Sequence, residues 1–517
     1  MSAPPTRVAD AGRRPTLTGR ASLNALAALV DYGARIAIQL VLAPLMLRFL
    51  GDAGYGAWQV LQRLIGQATP AGGRPGEALK WVVAQGQTSN DHELKRQQVG
   101  TAIAVWVLFL PLVSVIGGVL AWFSPALVDA GPDQLWTVRA AAGLLLLNLV
   151  VLGLGSVPQS VLQGENLGYR RLGLSTAILF VGGLLTALAL WAGWGLVGVA
   201  LATVIATMLS GVTYLQIVRS QIGWWGVARP VRGAVKGFVG LSWWFLLWNL
   251  VMQAIKGSDV IVLGAVGGIA LVATYTLTSY VPQAVSDLVF MVISATMPGL
   301  GGLVGAGELD RAARIRGETM VLAWLVAAAA GATVIAWLSP FLALWVGPEY
   351  DAGATATVLI CLMVLQLAMI RVDSNVIDLT LRIRAKVLLG LASAVLAAGL
   401  GVLLVGPAGL GIVGLVTAFI VGRLPLTVAY PVLVGRLLAV PARSQLAAVW
   451  RPALASALMF VAAALLRSRT GADGWVPLIA MGVSTALVML GVAYLGGLSA
   501  VQRRRVRLRV RKVVHRS

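Results

Sequence analysis

Ala121-Trp122-Phe123-Ser124-Pro125 closes one long apolar run, and Ala336-Trp337-Leu338-Ser339-Pro340 closes another 215 positions later. The offset recurs. Leu50-Gly51 with Gly54 matches Leu263-Gly264 with Gly267 at 213, and Gly131-Pro132 matches Gly347-Pro348 at 216. Gly193, Gly195 and Gly198 match Gly409, Gly411 and Gly414, again at 216. Matches at nearly one offset read as an internal duplication. Each copy contains six apolar runs, an even number, so both copies enter a membrane in the same direction. Their expected relation is a pseudo-two-fold axis along the membrane normal.

The composition requires a membrane. Apolar residues make up 58% of the 517 and charged residues 11%, against roughly 45–50% and about 25% in soluble domains. The mean hydropathy is +0.87. Fourteen runs are long enough to cross ~30 Å of hydrocarbon at 1.5 Å per residue. They fall near 22–47, 55–83, 99–123, 136–163, 172–192, 196–218, 237–263, 268–298, 317–339, 354–379, 386–405, 410–433, 452–467 and 476–496. The expected fold is an all-α polytopic membrane protein with two pseudo-symmetric six-helix lobes and two C-terminal helices. The expected divisions are an N-terminal segment 1–21, an N-lobe 22–218, a linker 219–236, a C-lobe 237–433, a loop 434–451, two further helices 452–496 and a polybasic tail 497–517. The run after the polar first twenty residues has no cleavage pattern and reads as an uncleaved first span.

The net charge of +21 suggests a nucleic-acid binder only until the cations are placed. With the N-terminus inside, 29 of the 40 Lys and Arg residues fall in cytoplasmic segments, 4 outside and 7 within spans. That asymmetry predicts cytoplasmic termini. The tail from Arg503 to Arg516 belongs to the same pattern and would also favour anionic lipid. Cys361 is the only cysteine, and His92 and His515 are far apart, so no disulfide within the chain and no metal site are expected. The repeated Gly-x-Gly-x-x-Gly has no βαβ context, and no Walker-type Gly-Lys-Ser/Thr occurs, so no cofactor and no catalytic residue is expected.

Ionised groups inside spans cost about 2.5–3.5 kcal/mol each at mid-membrane and need a reason. Asp31 and Arg35 stand four apart in the first span, spacing that permits a self-neutralising pair. In the second, Gln59, Gln62, Arg63, Gly66 and Gln67 recur at steps of three and four, which draws a wet stripe on one face. Lys256 and Asp259 lie in the second copy's counterpart of the first span, the span that carries Asp31 and Arg35. Asp287, Arg371, Asp373, Asp378 and Arg423 follow. Arg63 and Arg423 have no acid within one turn and are the leading candidates for holding an anionic group, because the planar guanidinium donates two parallel hydrogen bonds to a phosphate. The candidate substrate-binding set is Arg63, Arg423, Arg35, Lys256, Gln59, Gln62, Gln67 and Arg371.

The span pattern and several segments resemble polysaccharide repeat-unit flippases of the multidrug/oligosaccharidyl-lipid/polysaccharide exporter superfamily. The segments are Arg48-Phe49-Leu50-Gly51-Asp52-Ala53-Gly54-Tyr55-Gly56, Leu162-Gln163-Gly164-Glu165-Asn166, Asp259 ahead of Leu263-Gly264 with Tyr275 beyond, and Pro298 before the basic stretch Arg311–Arg316. The resemblance implies alternating-access transfer of an undecaprenyl-pyrophosphate-type lipid-linked oligosaccharide across a bacterial inner membrane. Partners would be membrane lipids and a polysaccharide polymerase with its assembly machinery, with no nucleic acid. It also implies ion coupling through Asp259, Asp287 or Asp31. The stretch Pro70-Ala71-Gly72-Gly73 is more polar than the family norm. The Arg-rich first-helix signature of lipid II flippases is missing, which turns the expectation away from the peptidoglycan precursor. A cation-coupled multidrug antiporter of the same superfamily is the alternative, and a membrane-embedded polymerase or glycosyltransferase a more distant one.

Overall fold

A computed structural model describes residues 17–73, 75–85, 91–165, 167, 173–230, 257–295, 300, 303–304, 307–379, 383–467, 471, 474–505 and 507. Among these, every regular element is a helix. In chain order they are α1 (Leu17–Gly66), α2 (Pro75–Gln85), α3 (His92–Leu127), α4 (Leu135–Gly164), α5 (Leu174–Trp191), α6 (Gly195–Gln221), α7 (Gly257–Gly267), α8 (Ile269–Ala295), α9 (Leu309–Trp345), α10 (Ala354–Leu379), α11 (Ile383–Val405), α12 (Gly411–Gly422), α13 (Leu424–Leu437), α14 (Ala442–Arg467) and α15 (Trp475–Val492). Eleven described stretches are long and apolar enough to cross a membrane. A helix satisfies its own backbone inside lipid, which an open strand does not. Large apolar side chains such as Val41, Val428, Leu465 and Val476 point outward, a surface that suits hydrocarbon and not water.

The chain differs from its expected spans at three breaks, each with a local cause. The first two expected spans run as one helical stretch, interrupted only at Gly51, whose φ of 69° and ψ of 178° are non-helical. An added Cβ there meets nothing within 4 Å, so its cost is conformational alone. Gly51→Ala should lower stability by about 1 kcal/mol, readable as a shift in thermal unfolding with no change in insertion. The second break splits the expected span 55–83. α1 ends at Gly66, a tight turn covers Thr69–Gly72, and α2 starts at Pro75. Pro70, Pro75 and the left-handed Gly73 (φ 63°) prevent a continuous helix.

The third break interrupts 410–433 at Arg423, between α12 and α13. Pro425 has no N–H to give, and side chains from neighbouring helices take up freed carbonyls. Ser393 Oγ donates to Gly422 O at 2.8 Å, and Gln366 Nε2 donates to Ile420 O at 3.0 Å. The expected short span 452–467 is in fact the 26-residue α14.

Two compact units interleave along the sequence. One comprises the described residues within Met1–Leu42, Ala71–Val115 and Leu144–Trp243; the other comprises those within Ala43–Pro70, Ile116–Gly143 and Trp244–Ser517. Within the first, the buried Lys95 approaches Glu165 at 3.6 Å. Trp224 Nε1 donates to the same Glu165 oxygen at 3.0 Å, and Arg96 Nε donates to Trp224 O at 2.9 Å. This network fastens the segment after α6 to α3 and α4. Asp31 is not neutralised by Arg35. It accepts hydrogen bonds from Ser175 (2.8 Å) and Thr176 (2.8 Å) of α5, and Arg35 is exposed.

The second unit is organised on α9, which packs against α8, α10, α14 and α15. Trp324 Nε1 donates to Ser456 of α14, and Trp337 Nε1 to Thr485 of α15, both at 2.9 Å. Each indole thereby finds a partner in an interior where an unmade hydrogen bond is costly. Arg316 of α9 grips Asp373 of α10 through two bonds of 2.7 Å and donates a third to Gln445 of α14 at 3.1 Å.

Candidate functional site

The second unit contains a pocket enclosing about 830 Å³ of space, part of it open to solvent. Its walls come from five places in the sequence. Arg63 arrives from α1, Asp259 from α7, and Gln283, Ser286 and Phe290 from α8. Met363, Leu367, Ile370, Arg371 and Ser374 come from α10. Arg423 stands at the break, with Leu426 and Tyr430 following on α13.

The broken helix explains the place of Arg423. Its side chain is 4% exposed, and its guanidinium carbon lies 5.1 Å from the Phe419 ring centre. It is within electrostatic reach of Asp259 and Tyr275. Asp259 is held in turn: Tyr275 Oη donates to Oδ2 and the Val260 N–H to Oδ1, both at 2.8 Å. Arg63 acts on Tyr275 as well. Neither Arg63 nor Arg423 is therefore isolated, contrary to what their spacing along the chain suggests; both belong to one charged group around Asp259. Gly257 makes this possible. A Cβ there would lie 2.7 Å from Gln67 Nε2 and 3.9 Å from Arg63 Cδ, so the missing side chain lets α7 sit on the Arg63–Gln67 face without displacing the Gln67 amide.

Arg371 lies 5.7 Å from the Phe290 ring centre. Its Nε, and the buried Ser286 Oγ, have no hydrogen-bond partner among the described residues. Beyond the pocket wall, Lys386 is fully buried. Its Nζ donates to Asp378 at 2.5 Å and to Ser374 O at 3.2 Å, and Tyr430 Oη donates to Lys386 O at 3.3 Å. Among the lining residues, three arginines thus face one carboxylate. Guanidinium groups only donate hydrogen bonds, so the arrangement suits an anionic, oxygen-rich group.

The structure brings Arg63, Arg371, Arg423 and Asp259 together and places Gln67 beside them. Gln59 is half-buried on α1 within reach of Tyr55, and Gln62 is exposed. Asp287 is exposed on α8, 3.5 Å from Gln283 Nε2. Arg35 and Asp31 belong to the other unit, and Lys256 lies outside the described residues. Lys386 and Arg316 read in the sequence as cytoplasmic topology markers, yet both are buried in ion pairs. Tyr430 is legible in principle, since it stands two turns from Arg423.

No protein-family model and no curated protein matches the chain. Solved structures do. The chain is similar to an inward-facing multidrug resistance MATE family transporter of the MOP superfamily, with a TM-score of 0.63 at 15% identity over 82% of this chain and 99% of that one. It is similar to the lipid II flippase MurJ in an inward closed conformation, with a TM-score of 0.64 at 13% identity over 91% and 98%. A MATE structure in a bent conformation follows at 0.57 and 13%, over 81% and 96%. The chain is thus an all-α, multi-pass membrane protein with the fold of these transporters and of this flippase.

Proposed function

We propose that this chain is a flippase of the multidrug/oligosaccharidyl-lipid/polysaccharide exporter superfamily, and that it moves a polyprenyl-pyrophosphate-linked oligosaccharide from the inner to the outer leaflet by alternating access. The observation that carries the reading is the excess of arginine in the pocket: Arg63, Arg371 and Arg423 against Asp259. The pyrophosphate would be held there while the lipid tail stays in the bilayer. Asp259 would serve as the internal counter-charge and as a coupling group. Two six-helix lobes, both termini in the cytoplasm of a bacterial inner membrane, and a polymerase as partner complete the proposal. The multidrug alternative is favoured by the MATE neighbours, but a pocket with surplus positive charge repels the cationic dyes on which such an antiporter would be tested.

The deciding experiment uses the purified chain in proteoliposomes with two probes, a short-chain polyprenyl-pyrophosphate disaccharide carrying a fluorophore and a cationic dye. Transfer of the first without transfer of the second is expected. Transfer of the dye alone would overturn the flippase reading, and conversion of the lipid-linked sugar into a product would restore the enzyme alternative.

A further inference from the structure

Next to the pocket-lining Arg63 and Asp259, a seam joins the two halves of the sequence within the second unit. From the first half comes the part of α1 that follows Gly51. From the second come α7, α8 and the turn Pro348–Tyr350. Small residues set the approach. Gly56 lies directly against the Ile269 backbone, and a Cβ at Gly264 would lie 2.8 Å from Val60 Cγ2. Helices meeting through glycine come close enough to exclude water.

Across this seam the Tyr350 hydroxyl donates a hydrogen bond to Asp52. Both partners have reasons to hold position. Tyr350 is buried, and its carbonyl accepts from Thr278 Oγ1 of α8 at 2.8 Å. Thr278 Oγ1 in turn accepts from the Ala352 N–H at 3.1 Å. The next residue, Asp351, is fastened to Arg467 of α14 at 2.6 Å, and Arg467 reaches on to Thr357 of α10 at 3.3 Å. The turn carrying Tyr350 is therefore tied to three helices of the second half. Burial first, and then the bond to Asp52, push the Tyr350 hydroxyl above its usual range, so it remains a donor throughout physiological pH. Asp52 is exposed and stands at the start of its helical segment, where a carboxylate is favoured by the helix dipole.

We propose that Tyr350 and Asp52 form a latch that holds this seam shut, and that the protein must break their hydrogen bond to open there. By the distribution of basic residues this is the outer side. The latch has a direct mechanical link to the pocket. Asp52 and Arg63 lie eleven residues apart on one helical segment, ~16 Å along its axis, so movement of Arg63 is carried to the latch without an intervening joint. The latch stands whether or not the pocket takes a pyrophosphate.

Its test is thiol labelling from outside. Val60→Cys places a thiol in the seam against Gly264, and the native Cys361, buried in α10, is an internal control. Oriented vesicles carrying the full chain are treated with a membrane-impermeant maleimide, with and without Tyr350→Phe, Asp52→Asn and the pair. Each single change should speed labelling at position 60 roughly tenfold, in keeping with loss of one hydrogen bond to a charged group. The pair should add nothing further, because both changes remove one interaction. Cys361 should stay unreactive. An unchanged rate at position 60 would overturn the latch. So would additive effects of the two changes, or parallel acceleration at Cys361, which would mean general loosening.

Discussion

Arg423→Ala and Arg63→Ala are each expected to slow transfer of a pyrophosphate-linked lipid by roughly 10–100-fold, the equivalent of losing a charge-assisted hydrogen bond worth about 1.5–3 kcal/mol in a site of low dielectric. The expectation follows from the pocket lining, where each arginine is a large share of the positive charge. The measurement is transfer per inserted molecule in proteoliposomes, alongside thermal unfolding in detergent. Arg423 carries a complication that can be turned into a control. It is buried beside Asp259, so its removal leaves a carboxylate without part of its compensation, and that destabilises the fold independently of any ligand. Adding Asp259→Asn should restore the unfolding temperature. Transfer should not return, because the donor to the ligand is still gone and the proposed coupling carboxylate has gone with it. Recovery of transfer in the double variant would mean that Arg423 serves only to neutralise Asp259, and the anion-binding assignment would fall. Arg63→Lys should retain part of the activity if charge suffices and little if the bidentate fork is needed.

Much of this site is legible in the amino-acid sequence. A lone arginine in an apolar run is conspicuous because hydrocarbon makes it expensive, and that cost singles out Arg63 and Arg423 whatever their spatial relation, whereas Arg371, two residues from Asp373, is only one of the wider candidate set. The grouping of Arg63 and Arg423 around Asp259 and Tyr275, in one pocket with Arg371, is not legible there, because it depends on three local accidents. Gly257 admits a close helix, Pro425 breaks another, and Gln366 and Ser393 take up the carbonyls the break releases. None has a periodic signature. The counting of basic residues near span ends has the opposite weakness. It treats every such cation alike, and so places Lys386 on the cytoplasmic surface although it is sealed by Asp378, Ser374 and Tyr430. Pairing partners eight or fifty-seven residues away, as for Lys386 and Arg316, are invisible to a rule about proximity along the chain. Breaks are half legible: the glycines and prolines around 70–76 announce one, but an isolated Pro425 in a membrane span is equally compatible with a gentle bend.

Arg316 illustrates the same limit and supports the second large effect. Arg316→Ala is expected to cost about 3–5 kcal/mol of stability, the range for removing one partner from a buried ion pair. Asp373 is 1% exposed and receives both of its charged hydrogen bonds from this one guanidinium, in the bidentate form that is geometrically strongest. Without Arg316 the carboxylate must ionise in an apolar setting or take up a proton, and Gln445 loses a donor as well. Because Gln445 lies in the first turn of α14, the loss should also loosen the attachment of that helix to α9 and α10. Asp373→Asn should cost less than Arg316→Ala, since it leaves a neutral acceptor in place. Replacing both, as Arg316→Met with Asp373→Leu, should recover most of the stability, because well-packed apolar side chains substitute for a buried pair. The double variant separates anchoring from transport. Asp373 lies on α10 between Arg371 and Ser374, which line the pocket, but is not itself among the lining residues. Transfer per folded molecule should therefore be retained in the double variant while Arg316→Ala lowers the folded amount. If the stable double variant still failed to transport, the pair would have to act on the pocket through α10, and its role could no longer be called an anchor.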